Sequence, residues 1–197
     1  MRPHSTKKIK GETTMKVLRK METEANTLQV GDVIVLNNGY TATCQQITEA
    51  GALMLLDQYV AEMAMNKKNS NRGGWQSCDL RIYLNDKGMV EELLPEELIT
   101  HLGSFENGDT FRLPKLGEMV DKVPDWAEYQ DAEQWPLMKD RRNRIAFHKD
   151  GRWDWCWCMD RDTDSAAAFC LVARSGCANT LSASSSFGVR PAFLIIQ

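Results

Sequence analysis

A chain of 197 residues with 43% hydrophobic side chains suits one domain with one sizeable core. Its formal net charge of −3, with no basic stripe, gives no electrostatic footprint for nucleic acid. No apolar run approaches the roughly 18 residues of a membrane span, so neither nucleic-acid binding nor membrane insertion is expected.

Residues 1–27 are expected to form a flexible leader, polar and without a signal-peptide apolar core. Synthesis in the cytoplasm follows, with virion or cell-surface association left open; Met15 and Met21 are alternative starts. A single domain is expected over 28–197. Its first strand is predicted over 28–36, where Gly31-Asp32 precedes Val33-Ile34-Val35. Asn37-Asn38-Gly39 forms a hairpin-type turn into a partner strand at 40–47. A third strand is predicted at 52–59, followed by a polar loop at 66–74.

Ser77 then reads as an N-cap and Asp79 as a first-turn acid, while Leu80, Tyr83 and Leu84 share one helical face. A second helical region at 90–102 is split by Pro95, expected at the first position of its second half. Leu116, Met119 and Val120 are the inward residues of a short helix opening at Leu113-Pro114. The stretch 121–150 is irregular, anchored by Trp126 and Trp135. From Trp153 the period becomes two: Trp153, Trp155 and Trp157 point one way, Asp154, Cys156 and Cys158 the other. With the tryptophans in the core or at its rim, their alternating neighbours are expected to face solvent. Strands at 169–172 and 189–196 complete an α+β class with short helices and a largely antiparallel sheet.

The last quarter of the chain has an unusual composition. Between Lys149 and Gln197 there is no lysine, glutamate or glutamine, whereas the first 149 residues hold 12 Lys, 13 Glu and 7 Gln. A solvated surface normally uses Lys and Glu freely, so this tail answers to a different rule.

Two motifs carry a resemblance. Trp75-x-Ser77-x-x-x-Arg81-x-x-Leu84-Asn85, paired with Gly188-Val189-Arg190-Pro191-Ala192-Phe193, resembles the bacterial and phage domain family DUF6273. Trp155, Trp157, Phe169-x-x-Val172, Gly176 and Ala183-Ser184 fit the intervening pattern. The likeness covers about residues 28–197. It departs at Trp157-Cys158-Met159-Asp160-Arg161, where many members read Trp-Trp-Leu-Arg-Ser. The terminal strand is also similar to the close of formylglycine-generating-enzyme-like and C-type-lectin-like domains, which implies a C-type-lectin-like fold.

Some proteins of that fold are diversified by retroelements that copy template adenines with errors. Asn codons AAC or AAT then yield Ala, Asp, Cys, Ser, Arg, Leu or Phe, but never Lys, Glu, Gln, Trp or Met. The tail obeys this at its irregular positions, and Trp and Met occur only at 153, 155, 157 and 159. The resemblance therefore implies a non-enzymatic ligand- or receptor-binding module with a variable region at about 152–188. Its expected contact residues are Asp154, Cys156, Cys158, Asp160, Asp162, Ala173, Arg174, Cys177, Asn179, Leu181, Ser184, Ser186 and Phe187. The expected partner is a protein or glycan on a cell surface, bound with avidity through multivalent display.

Other chemistries have less support. Arg190, inside an apolar strand, is expected to pair with a carboxylate such as Asp79 or Glu118, and Arg81 to hold the scaffold similarly. Asp160, Asp162 and Asp164 have the spacing of a calcium loop, but Ser165 and Leu171 occupy its glycine and glutamate positions. His4, His101 and His148 are scattered, and no nucleophile–base spacing stands out. The six cysteines fit no disulfide framework, and no C-x2-C zinc pair is present. No catalytic, cofactor or metal residue is assigned. The alternatives kept open are a metal- or thiol-dependent oxidoreductase using Cys156 with Cys158, or Cys170 with Cys177, and an undiversified structural phage protein.

Overall fold

The computed structural model describes residues 27–105 and 107–196; the expected leader lies outside them apart from Thr27. In chain order the strands are β1 (Val33–Val35), β2 (Thr41–Thr48), β3 (Gly51–Leu56), β4 (Ala61–Ala64), β5 (Leu102–Gly103), β6 (Cys156–Arg161), β7 (Ala168–Val172), β8 (Ala178–Ser182), β9 (Ser186–Val189) and β10 (Ala192–Ile195). Short helices α1 (Asp79–Leu84), α2 (Lys87–Leu93), α3 (Glu96–Ile99) and α4 (Leu116–Met119) fill the middle of the chain. Among the described residues no helix is long and apolar enough to cross a membrane.

The strands form two five-stranded sheets, ordered β1-β2-β3-β10-β5 and β4-β9-β6-β7-β8. Every pairing between strands is antiparallel except β6 with β9, which meet in parallel at Cys156 and Gly188. The class is thus α+β, as the order of elements implied. Asn37-Asn38-Gly39 does make the first turn, with Asn38 at φ 56°. Gly51 is required at its own turn: its φ is +129°, and a Cβ there would lie 2.1 Å from the Ile195 carbonyl oxygen.

Local boundaries differ for identifiable reasons. The N-cap of α1 is Cys78, whose thiol accepts the Arg81 amide at 3.3 Å, because the Ser77 hydroxyl donates to the Arg72 carbonyl instead. Pro95 is the N-cap residue of α3, one position earlier than expected. The Asp86 carboxylate accepts the Gly88 amide and starts α2 at Lys87.

Strand β6 lies between β9 and β7, and its residues Cys156 to Asp160 are all buried. Trp157 packs into one core with Met54, Leu56, Phe169 and Phe193. Cys156, Cys158, Cys170 and Val172 pack into a second with Tyr59, Trp135 and Met138. This overturns the expectation for Cys156 and Cys158, which do not reach a solvated face; Asp154, the third of the set, stays half-buried at the rim. Period-two alternation separates the two sides of a strand, but here α4 and the irregular 121–150 region cover the second side.

Candidate functional site

The Trp75–Asn85 motif is a clamp. Trp75 Nε1 donates to Asp109 at 3.1 Å, and the Arg81 guanidinium grips both oxygens of the same carboxylate at 2.8–2.9 Å. The Asn85 side-chain oxygen Oδ1 accepts the backbone amides of Thr110 and Phe111. Arg81 therefore has the scaffold role expected of it.

Arg190 does not pair with Asp79 or Glu118. Its guanidinium is buried and donates to the carbonyl oxygens of Leu56 (2.5 Å) and Asn143 (2.7 Å), and burial lowers its pKa. Glu118 is held instead by Arg112, through two contacts of 2.6 and 2.7 Å. Backbone carbonyls satisfy Arg190 as donors do not need charge to be paired, only acceptors.

The three tryptophans run from core to rim along one side of the chain. Trp157 is fully buried and donates its Nε1 to the Met63 carbonyl at 2.9 Å. Trp155 is half-buried and stacks on Phe187, and Trp153 is 46% exposed with the Arg174 guanidinium above it. Around this edge the outer strands display small side chains. Arg174, Asn179, Ser184 and Ser186 are exposed; Asp154, Ala173, Cys177, Leu181 and Phe187 are half-buried. Ala173, Leu181 and Phe187 rest on the first core. The β8–β9 turn beneath Ser184 is pinned, since the Ala183 amide donates to the Ala167 carbonyl and its own carbonyl accepts the Asn66 amide.

Four expected contact residues are not accessible. Cys156, Cys158, Asp160 and Asp162 are buried, so none can meet a ligand at the surface. Asp160 is a brace: its carboxylate accepts the amides of Leu116 (2.7 Å) and Tyr129 (3.2 Å). Burial pushes its carboxyl up to about 6 despite those bonds. Asp162 accepts the Asp164 amide, and the loop from 162 to 168 is fixed by the Asn71 side chain, which donates to the carbonyls of Asp162, Ser165 and Ala168. The aspartates thus serve separate loop contacts.

The thiols divide the same way. Burial pushes Cys156 up to about 12 and holds Cys158 and Cys170 well above the usual thiol range, which keeps all three protonated near neutral pH. Cys177 is the one cysteine with partial access to solvent.

Beside this edge lies a cleft of about 320 Å³ lined by Glu62, His148, Arg152, Trp153, Asp154 and Arg174. Strand β4 brings Glu62 opposite Gly188 of β9. A tight turn brings His148 and Arg152 together: the His148 amide donates to the Arg152 carbonyl at 2.7 Å, and Phe147 bridges Trp153. Arg152 contacts Glu62 at 3.2 Å and Asp150 at 2.7 Å, and Arg174 contacts Asp154 at 3.4 Å. Sequence reasoning found Asp154 and Arg174 but missed Glu62, His148, Arg152 and Trp153 as site residues. Their convergence depends on β4 joining β9, for which no local pattern in the chain is a signal.

Neither a family model, a curated protein nor a solved structure matches the chain.

Proposed function

We propose that the chain is a ligand- or receptor-binding module of C-type-lectin-like, DUF6273-like type. Its contact surface is the edge formed by Trp153, Asp154, Arg174, Asn179, Ser184, Ser186 and Phe187. One observation carries this reading: exposed small polar residues on β8, β9 and their turns flank strands β6 and β7, which are buried almost throughout. A rigid support under replaceable side chains is what a tolerant binding face requires, as antibody loops illustrate. The absence of Lys, Glu and Gln between Lys149 and Gln197 supports diversification of about 152–188 from Asn codons. The partner is a protein or glycan at a cell surface, engaged by several copies at once.

Sequencing the surrounding DNA from several isolates tests this reading. The expected result is a near-copy of codons 152–188 that differs at adenines, accompanied by a reverse transcriptase. Invariant codons with no such copy would leave a fixed structural surface in its place. In the protein itself, joint replacement of Arg174, Asn179, Ser184 and Ser186 by alanine should leave the melting temperature within a few degrees of the parent.

A further inference from the structure

We infer that Glu62, His148 and Asp154 form a binding site for one divalent transition-metal ion of the zinc class. Each side chain offers one ligand atom, and the three atoms lie within 4.8 Å of one another. Metal–ligand distances of about 2.1 Å require such atoms to approach within about 4.2 Å. A small rotation of the exposed Glu62 closes that difference.

His148 supplies the second, independent observation. Its Nε2 is enclosed and has no hydrogen-bond partner. A buried ring nitrogen without a partner is unfavourable, and a metal or a donated proton removes the deficit. The imidazole is seated against Tyr59, with ring centroids 5.1 Å apart. Tyr59 is itself fixed, since its hydroxyl donates to the Asp154 carbonyl at 2.9 Å and accepts the Ala146 amide at 3.1 Å. One phenol thus locates two of the three ligand-bearing residues, the kind of outer support that metal sites use.

The neighbouring cations do not block the site. The Arg152 and Arg174 side chains are 64% and 52% exposed, and their contacts to Glu62 and Asp154 are long, at 3.2 and 3.4 Å. The Arg152–Glu62 pair is exposed on both sides and weak. The Asp154 carboxylate, though only 15% exposed and bonded to the Trp155 amide at 2.8 Å, is only loosely held by Arg174, so a divalent ion competes with both arginines. One imidazole with two carboxylates suits zinc, manganese or ferrous iron; calcium takes six to eight oxygens and is poorly served here. Three protein ligands leave a coordination position open. It lies in a cleft that Arg152 and Arg174 also line, where an anionic group would complete the shell. The site does not depend on whether the adjoining surface is diversified.

The test uses the purified full chain, stripped with a chelator and titrated with zinc chloride by calorimetry and with cobalt chloride by absorption. One equivalent of zinc should bind, and bound cobalt should show d–d bands without sulfur-to-cobalt charge transfer. Glu62→Gln and His148→Ala should each weaken zinc by about tenfold or more, and Cys177→Ser should leave it unchanged. Should His148→Ala fail to fold by circular dichroism, Glu62→Gln makes the same comparison at an exposed position. Absence of saturable binding by about 1 mM zinc, a sulfur band with cobalt, or undiminished affinity in Glu62→Gln would each overturn the assignment.

Discussion

The Trp155 indole lies on the Phe187 ring, with centroids 5.4 Å apart and planes 16° from parallel, while Trp157 meets the same phenyl edge-on at 5.1 Å. Phe187 is thus both partly accessible to solvent and the piece that covers a tryptophan. Its replacement therefore reaches further than replacement of the exposed polar residues beside it.

Phe187→Ala removes an aromatic stack and part of a half-buried side chain, so it should cost about 1–2 kcal/mol. The tryptophan emission should shift to longer wavelength as Trp155 becomes wetter. Chemical denaturation and fluorescence on the same sample check both, and Arg174→Ala serves as a comparison with little change in either.

Asp109→Ala should be far more damaging, by about 3 kcal/mol or more, because it strands the Trp75 Nε1 and the Arg81 guanidinium at once. Lys87→Ala breaks an i,i+4 pair whose side chains are 87% and 56% exposed and should produce no measurable change. Urea midpoints for the two variants give the ranking.

Gly188→Ala places a Cβ 2.8 Å from the Tyr59 ring and 2.9 Å from the Trp155 carbonyl oxygen. Neither can retreat freely, since Tyr59 is buried and Trp155 accepts the Gly188 amide. The expected loss is about 2 kcal/mol, read from thermal melts.

Asp160 sets a pH dependence. Its folded pKa of about 6 lies above the unfolded carboxylate value, so the folded state binds the proton more tightly between those two values. The charged form is a penalty that is fully present above pH 6 and disappears as pH falls toward 4, amounting to about 3 kcal/mol. Asp160→Asn lacks that titration. The stability of the parent relative to Asp160→Asn should therefore rise on going from pH 7.5 to pH 5, as paired urea titrations will show.

Thiol titration at neutral pH should find a single fast-reacting cysteine, Cys177, with the other five reacting only after denaturation. Cys177→Ser should abolish the fast phase. Rapid modification of a second thiol in the native protein would contradict the burial of β6 and β7.

Much of the fold was legible where short-range chemistry decides it. Gly31-Asp32 and Asn37-Asn38-Gly39 mark the first hairpin, the Leu80–Leu84 face marks α1, and Leu116 with Met119 marks α4. The sheet containing β6 was only half legible. Its alternation is real, since Trp157 and the cysteine pair enter different cores, but which sides are covered is decided by distant segments. Strands β4, β8 and β9 escaped notice because they are only four or five residues long and none carries a run of β-branched or aromatic residues. Of the site, the exposed edge residues were legible from composition. The Glu62–His148–Asp154 cluster was not, since the long-range β4–β9 pairing and a chain turn assemble it.

The last strand, β10, does not lie at a margin. It pairs with β3 on one side and β5 on the other, so it occupies the interior of the first sheet while the accessible edge belongs to the second. A chain interrupted or frame-shifted anywhere in 152–188 loses β10 as well. Leu53, Leu55 and Leu102 then lose their partner strand, and the product is an incomplete sheet with apolar strand edges, subject to proteolysis or aggregation. The strand that completes the first sheet is thus translated after every residue of the exposed edge, so a side-chain substitution there spares that sheet whereas a reading-frame error removes it.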